Sequence, residues 1–344
     1  MNSISLPASL PTPRLPQHVP ALRWGVLGTG WIAERFVSSV KAHTEQQVVA
    51  VASHDATRAS GFAHDFGIPT SHGSYDDLVA RDDIDVVYVA SRHEAHTADA
   101  LLAIRAGKHV LVEKPFALSQ DDARAVFDAA QAAGVLAAEA LWTFFLPKWD
   151  VLRQLREDGV IGEVRQLSAE YGEHFQPPHR ILDSGEFGGD FFDLGLYPVG
   201  FATWWLDDPL VAASHQVPYP TGVTGATSAL LTTLDAQATV SSTIFETTPT
   251  RAWVVGTGAV LDIDGLFCQP GPFVLRSPSG HQELHWDEPR IAHDGLHHQA
   301  SEIARAIGAG ELQTPIRTAA DTISTVRVMD DIRRIARAGA SRND

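Results

Sequence analysis

With 344 residues, 44% of them hydrophobic, the chain is long enough to fill the cores of two domains. Its 42 acidic against 26 basic residues give a net charge of −16, which argues against nucleic acid or an anionic membrane as partner. The single Cys268 excludes an internal disulfide and a multi-cysteine metal site, and the scattered histidines show no metal-ligand spacing. No apolar run approaches the ~20 residues of a membrane span. The first twenty residues, rich in Pro and Ser, lack the basic and apolar regions of a secretory signal and read as a mobile tail. A reduced, cytoplasmic setting is the expectation.

The first elements surround a glycine turn. A short, mostly apolar run, Arg23–Leu27, leads into Gly28-Thr29-Gly30, and an amphipathic segment with Ile32, Ala33, Phe36, Val37 and Val40 follows at once. This is strand, tight turn and helix, with Ala33 as the third small position of G-x-G-x-x-A. A residue without Cβ lets the backbone bend and lets a pyrophosphate reach the free N–H groups of the helix N-terminus. Gly28, Thr29, Gly30, Trp31 and Ile32 are therefore the expected cofactor neighbours. The same turn without a ligand is the plain structural alternative. Its place at the start of a βαβ pattern favours the dinucleotide.

The apolar run 48–52 reads as a strand buried on both faces of a parallel sheet. After this strand NAD binders carry an acid that accepts the ribose hydroxyls. Here the chain has Ser53, then His54 and, one helical turn on, Arg58. Ser53 leaves room for a 2′-phosphate that His54 and Arg58 could bind, so NADP is favoured over NAD. Asp55 is a rival acid, and Arg58 taken alone passes equally for a solvated helix charge. Next come a helix to Phe66 stopped by Gly67, a short helix 75–80, a strand 85–90 and a helix 94–106 stopped by Gly107. A strand 109–112, a helix 120–133 capped by Ser119 and a strand 135–138 follow. Strands alternating with helices mean βαβ units and a doubly wound parallel sheet over 21–140. Glu113-Lys114-Pro115 directly follows the 109–112 strand. In such a sheet the C-terminal strand ends line the ligand crevice, so Lys114 is aimed at the cofactor. On composition alone it is an ordinary loop lysine.

Leu146-Pro147 opens a helix closed by Gly159, and a strand 163–173 follows. An irregular stretch then carries Pro177, Pro178, His179, Arg180, Gly185, Gly188 and Gly189; a loop of that length is usually functional. It feeds a helix 190–206 on which Asp193 and Tyr197, four apart, share a face. A tyrosine hydroxyl is a proton donor with an ordinary pKa near ~10, and a nearby ammonium lowers it. By itself Tyr197 is more often a packed core tyrosine, and Trp204-Trp205 fit the core as well. Hairpins 228–234/238–246 and 251–255/260–263 and helices 297–307 and 319–336 complete an α+β domain over 141–344. Its sheet is open and mostly antiparallel, with helices on one face.

Four stretches make the chain recognisable: Gly28-Thr-Gly-Trp-Ile-Ala33, Ala106-Gly-Lys-His-Val-Leu-Val-Glu-Lys-Pro115, Glu139-Ala-Leu-Trp-Thr143 and Gly188-Gly-Asp-Phe-Phe-Asp-Leu-Gly-Leu-Tyr197. It resembles the Gfo/Idh/MocA family of glucose–fructose oxidoreductase, inositol dehydrogenase and the rhizopine-catabolism protein. The branch with dimeric dihydrodiol dehydrogenases is the most similar in look. The resemblance implies an NAD(P)-dependent oxidoreductase on a sugar, polyol or related small molecule, with no metal. In it Tyr197, tuned by Lys114, exchanges the proton and Asp193 orients the reactants. Ser91, His93 and Glu113 become further cofactor neighbours, and the outer face of the second sheet implies a homo-oligomer. Three departures stand out: Arg92 replaces a proline, Phe144-Phe145 stand where the branch has an arginine, and Asp190 replaces a third glycine. The phenylalanines imply a more apolar substrate pocket, and His96 reads as a packing and hydrogen-bonding residue. A catalytically idle dinucleotide-binding regulator and an NAD-shuttling glycosidase are the alternatives on the same fold.

Overall fold

The computed structural model describes residues 6–183 and 187–340; residues 1–5 of the expected tail and Gly185 of the irregular stretch lie outside them. The chain divides into two compact units. One comprises Leu15–Leu146 and Ile291–Ile323, the other Met1–Arg14, Pro147–Arg290 and Ser324–Asp344.

The first unit holds a six-stranded parallel sheet in the order β3-β2-β1-β4-β5-β6. Its strands are β1 (Arg23–Leu27), β2 (Gln47–Ala52), β3 (Thr70–His72), β4 (Val86–Val89), β5 (His109–Glu113) and β6 (Ala137–Ala140). Helices α1 (Trp31–His43), α2 (Ala56–Phe66), α3 (Tyr75–Val79), α4 (His96–Arg105) and α5 (Gln120–Ala133) connect them. Helix α1 buries Ala33, Phe36, Val37 and Val40, and the Phe36 ring stacks on Tyr88 of β4 at 3.8 Å. Strand order reverses between β1 and β4, which is where open α/β sheets bind ligands.

Two details differ from the sequence reading. The strand expected at 135–138 starts at Ala137, because Gly134 ends α5 in the left-handed conformation and Val135 N still donates to Ala130 O. Strand β3 was not anticipated, since three polar-rich residues carry no periodicity.

The second unit begins with α6 (Pro147–Glu157) and is built on β7 (Val164–Gly172), α7 (Leu196–Trp205), β8 (Leu210–Pro218), β9 (Thr224–Thr232), β10 (Gln237–Thr243), β11 (Ala252–Gly256), β12 (Val260–Ile263), β13 (Phe273–Arg276) and β14 (Glu283–Trp286). The strands form one sheet, β14-β13-β12-β11-β7-β10-β9-β8, antiparallel except for β7 beside β10. Both expected hairpins are present. Strand β8 escapes sequence reading because it is an edge strand, exposed or half-exposed along its whole length. Helix α7 packs on β7 and β10, and both Trp204 and Trp205 are buried in the core. The helix expected from residue 190 opens as a π-helical turn, Phe191–Gly195. Within the stretch read as a tail, Arg14 N donates to Asp150 Oδ2 at 2.7 Å and Gln154 Nε2 donates to Thr12 O at 2.9 Å.

Helices α8 (His297–Gly308) and α9 (Ala319–Ala340) close the chain. In the first unit, Arg317 is fully buried with Nη2 2.8 Å from Glu139 Oε2, which also accepts from Thr322 Oγ1. The guanidinium lies 5.0 Å over the buried Phe144 ring. Glu139 of the Glu-Ala-Leu-Trp-Thr stretch is thus an anchor for the 314–322 segment. Among the described residues no helix is long and apolar enough to cross a membrane. No group of side chains among them could hold a metal ion.

Candidate functional site

The site is built from the glycine turn outwards. Gly28 stands at φ 105, and a Cβ there would fall 2.3 Å from the Ala90 carbonyl oxygen. Only glycine lets the turn lie this close to the end of β4. Gly30 caps α1 at φ −84 without a side-chain hydrogen bond, and a Cβ built on it meets nothing within 4 Å. The first N–H groups of α1 have no intrahelical partners and face this open space. Thr29 Oγ1 is buried with no hydrogen-bond partner among the described residues. An open cradle, helix N–H donors and an orphaned hydroxyl fit the pyrophosphate of a dinucleotide. Ile32 is half-buried, and Trp31 remains 53% exposed.

At the end of β2, Ser53 is buried and its Oγ accepts from Asp55 N at 3.3 Å. Asp55 serves as the cap of α2, its Oδ1 accepting from Thr57 N at 2.8 Å and Arg58 N at 3.2 Å. His54 and Arg58 are exposed. The His54 ring lies 4.3 Å from Tyr75, whose hydroxyl is pushed up to about 12 by burial and the charge of Asp99, against the pull of Arg58. His54, Arg58 and Tyr75 are thus grouped beside Ser53.

After β4, Ser91 and His93 are half-buried. Arg92 sits at φ −77 and ψ 149, a backbone that a proline also adopts, so the substitution leaves the loop's course intact. Its Nε pairs with Glu94 at 2.9 Å. His96 is fully buried, with Nδ1 2.8 Å from Pro115 O and Nε2 3.2 Å from Ser91 O. It ties the loop after β4 to the loop after β5, and burial makes it a weaker base. Glu113 at the end of β5 is buried, its Oε1 accepting from Tyr88 Oη at 2.5 Å and its Oε2 from Lys114 N at 3.1 Å. It fixes the backbone that carries the half-buried Lys114.

His293 belongs to the same unit and has no motif to mark it. Its ring meets Trp31 edge-on at 4.7 Å and stacks on Trp142 at 5.2 Å. Burial, then the charges of Lys114 and Arg35, push its pKa down to about 4, so it is neutral at physiological pH.

The second unit carries Asp193 and Tyr197. Asp193 lies in the π-helical turn and Tyr197 in the first turn of α7. Arg180, from the irregular stretch, donates through Nη2 to Asp193 Oδ2 at 2.7 Å. Tyr197 is half-buried with its ring 5.6 Å from Tyr171. Tyr171 Oη donates to Glu173 Oε2 at 3.4 Å, and burial holds this phenol well above its ordinary pKa. Gly188 and Gly189 press the stretch against its neighbours: a Cβ would lie 2.5 Å from Ile181 O and 2.6 Å from Thr224 O, respectively. Asp190 is buried, its Oδ2 accepting from Ser242 Oγ at 2.6 Å, and burial raises its pKa. Arg180, Tyr171 and His293 are the neighbours that sequence reasoning missed. Only Arg180 left a trace, as a member of the irregular stretch that carries His179.

Comparison with known proteins follows the same division. Residues 22–140 match the oxidoreductase family with an NAD-binding Rossmann fold, and residues 149–262 match the GFO/IDH/MocA C-terminal domain. Trans-1,2-dihydrobenzene-1,2-diol dehydrogenase of Xenopus laevis is 30% identical over 319 residues, covering 90% of this chain and 97% of that protein. The Mus musculus enzyme of the same name is 30% identical over 326 residues, covering 91% and 96%. A 3-ketoreductase from Actinomadura kijaniata, solved with NADP and TDP-benzene, superposes with a TM-score of 0.80 at 26% identity over 92% of this chain and 98% of its own. A levoglucosan dehydrogenase solved with NADH and levoglucosan shares the fold, with a TM-score of 0.83 at 17% identity over 93% and 98%.

Proposed function

The chain belongs to the Gfo/Idh/MocA oxidoreductase family, and from that premise we propose that it moves a hydride between NADP and a hydroxyl-bearing carbon of a sugar, polyol or diol. The observation that carries this reading is Lys114, set by Glu113 at the end of β5 in the sheet whose glycine turn is open to a pyrophosphate. The dinucleotide, when bound, supplies the hydride acceptor or donor. Gly28, Thr29 and Gly30 hold its pyrophosphate, with Trp31, Ile32, Ser91, His93 and Glu113 around it. Ser53, His54 and Arg58 receive the 2′-phosphate. Support for NADP over NAD comes from Asp55, whose Oδ1 is engaged in capping α2.

Tyr197 Oη exchanges the proton with the substrate oxygen, and the Lys114 ammonium favours its phenolate form. Asp193, steadied by Arg180, accepts a hydrogen bond from a substrate hydroxyl. In this division residues 21–140, together with 141–146 and 291–323 of the same unit, serve the dinucleotide, and the rest of 141–344 serves the substrate. A homo-oligomer is part of the proposal, supported by the half-exposed Trp253, Val255 and Val260 on the open sheet. So is a reduced, cytoplasmic setting, which suits the single buried Cys268.

Assaying aldoses, polyols and trans-diols with each dinucleotide tests the reading through nicotinamide absorbance. Turnover with NADP on a member of these classes is expected. Product formed with no net change in reduced cofactor is the result that transfers the chain to the glycosidase reading.

A further inference from the structure

The segment after β14 returns to the parallel-sheet unit and is pinned to α1. Ser39 of α1 donates through Oγ to Asp294 O, at 2.5 Å, and accepts from His297 N at 2.9 Å. The short helical turn Ala292–Leu296, which contains the first of these anchors, presents His293 one residue before it. Ala292 stands at φ 44, a left-handed conformation that a Cβ disfavours, so the turn is held against a local cost. Such outliers persist only where the surroundings over-determine them.

The partners of His293 come from two separate strand ends of the sheet. Trp31 follows the end of β1, and Trp142 follows the end of β6. Lys114, whose charge reaches the imidazole, follows β5 between them. A dinucleotide seated on the β1 turn lies across the switch point between β1 and β4, with its adenosine toward the Ser53 end of β2. The other half therefore runs toward β4, β5 and β6, under His293. Arg35 lies 5.5 Å over the Trp31 ring.

We propose that Trp31, His293 and Trp142 form an aromatic bracket for the nicotinamide end of the dinucleotide, with His293 as its central member. The inference rests on the dinucleotide reading given above. An uncharged imidazole suits this place, because a second cation beside Lys114 would repel the oxidised nicotinamide ring. His293 acts here by positioning: it fixes the two indoles and does not itself exchange protons.

Calorimetry of whole and truncated cofactor isolates this role. NADP is compared with 2′-phospho-ADP-ribose, and NAD with ADP-ribose, each fragment lacking only the nicotinamide riboside portion's base. The unaltered protein should bind the dinucleotide more tightly than its fragment. In His293→Ala that advantage should shrink by about threefold to tenfold, the worth of one aromatic contact, while fragment affinity stays within about twofold. His293→Phe should keep most of the advantage, and His293→Leu, which keeps volume without a ring, should lose it. The bracket is overturned if fragment and dinucleotide weaken together in His293→Ala and His293→Leu, or if the advantage is unchanged in both. Failure of the unaltered protein to bind either ligand would instead defeat the dinucleotide reading itself.

Discussion

Arg180 Nη2 donates to Asp193 Oδ2 at 2.7 Å, joining the irregular stretch to the turn that precedes Tyr197. The Asp193 side chain is only 10% exposed, whereas that of Arg180 is 51% exposed. The carboxylate is therefore held in one orientation by a cation that solvent can still reach. Arg180→Ala should lower kcat/KM by about tenfold, the worth of a hydrogen bond to a charged group, with dinucleotide affinity unchanged. Arg180→Lys should recover only part, since an ammonium cannot reproduce the planar fork. Steady-state kinetics decide it; an unchanged kcat/KM in Arg180→Ala removes the pair from the reaction.

Gly30 offers a clean probe of the cofactor seat. Its φ of −84 suits any residue, and a Cβ there meets no protein atom within 4 Å. Gly30→Val should fold normally and lose dinucleotide binding, because its branches fill the space in front of α1. Unchanged affinity by calorimetry would make the turn merely structural. Gly28 is a poor probe, since its φ of 105 and the contact with Ala90 O make any side chain disruptive.

Cofactor choice turns on the end of β2. The unaltered chain should bind NADP more tightly than NAD. Arg58→Ala should weaken that preference, and Ser53→Asp should reverse it by placing a carboxylate against the 2′-phosphate. Tighter binding of NAD by the unaltered protein contradicts this and brings the remaining oxygen of Asp55 back into question.

The Glu139–Arg317 pair governs stability. Both side chains are fully buried, so removing one strands the other's charge. Glu139→Ala should cost about 3–5 kcal/mol, read as a lowered urea midpoint. The double change Glu139→Met with Arg317→Met should restore much of the loss, because matched apolar side chains need no partner. A Glu139→Ala midpoint equal to that of the unaltered protein would show the pair to be dispensable.

Much of this was legible in the residues. Glycines that cap helices, as at Gly67 and Gly134, and strands buried on both faces, as at 48–52, write their conformation into local pattern. The turn at Gly28 and the lysine after β5 are legible for the same reason: each chemistry needs a residue type at a fixed point of a βαβ unit. What was hidden depends on distant partners. Arg180 lies 13 residues from Asp193 along the chain, and Arg317 lies 178 from Glu139. His293 is a lone histidine whose meaning comes from two tryptophans brought to it by folding. Strand β8 was hidden for the opposite reason, since an exposed edge imposes no alternation.

The central claim is that Tyr197 exchanges the substrate proton in a dinucleotide-dependent oxidation or reduction. Tyr197→Phe keeps the ring that packs on Tyr171 and removes only the hydroxyl. Lys114→Ala, by contrast, should impair both turnover and cofactor binding. The direct measurement is kcat of Tyr197→Phe on an identified substrate, with dinucleotide affinity measured on the same preparation. The account predicts a fall in kcat of ~10²-fold or more with affinity intact. Full turnover in Tyr197→Phe would contradict it and place the proton donor elsewhere, with His179 of the irregular stretch the next residue to test.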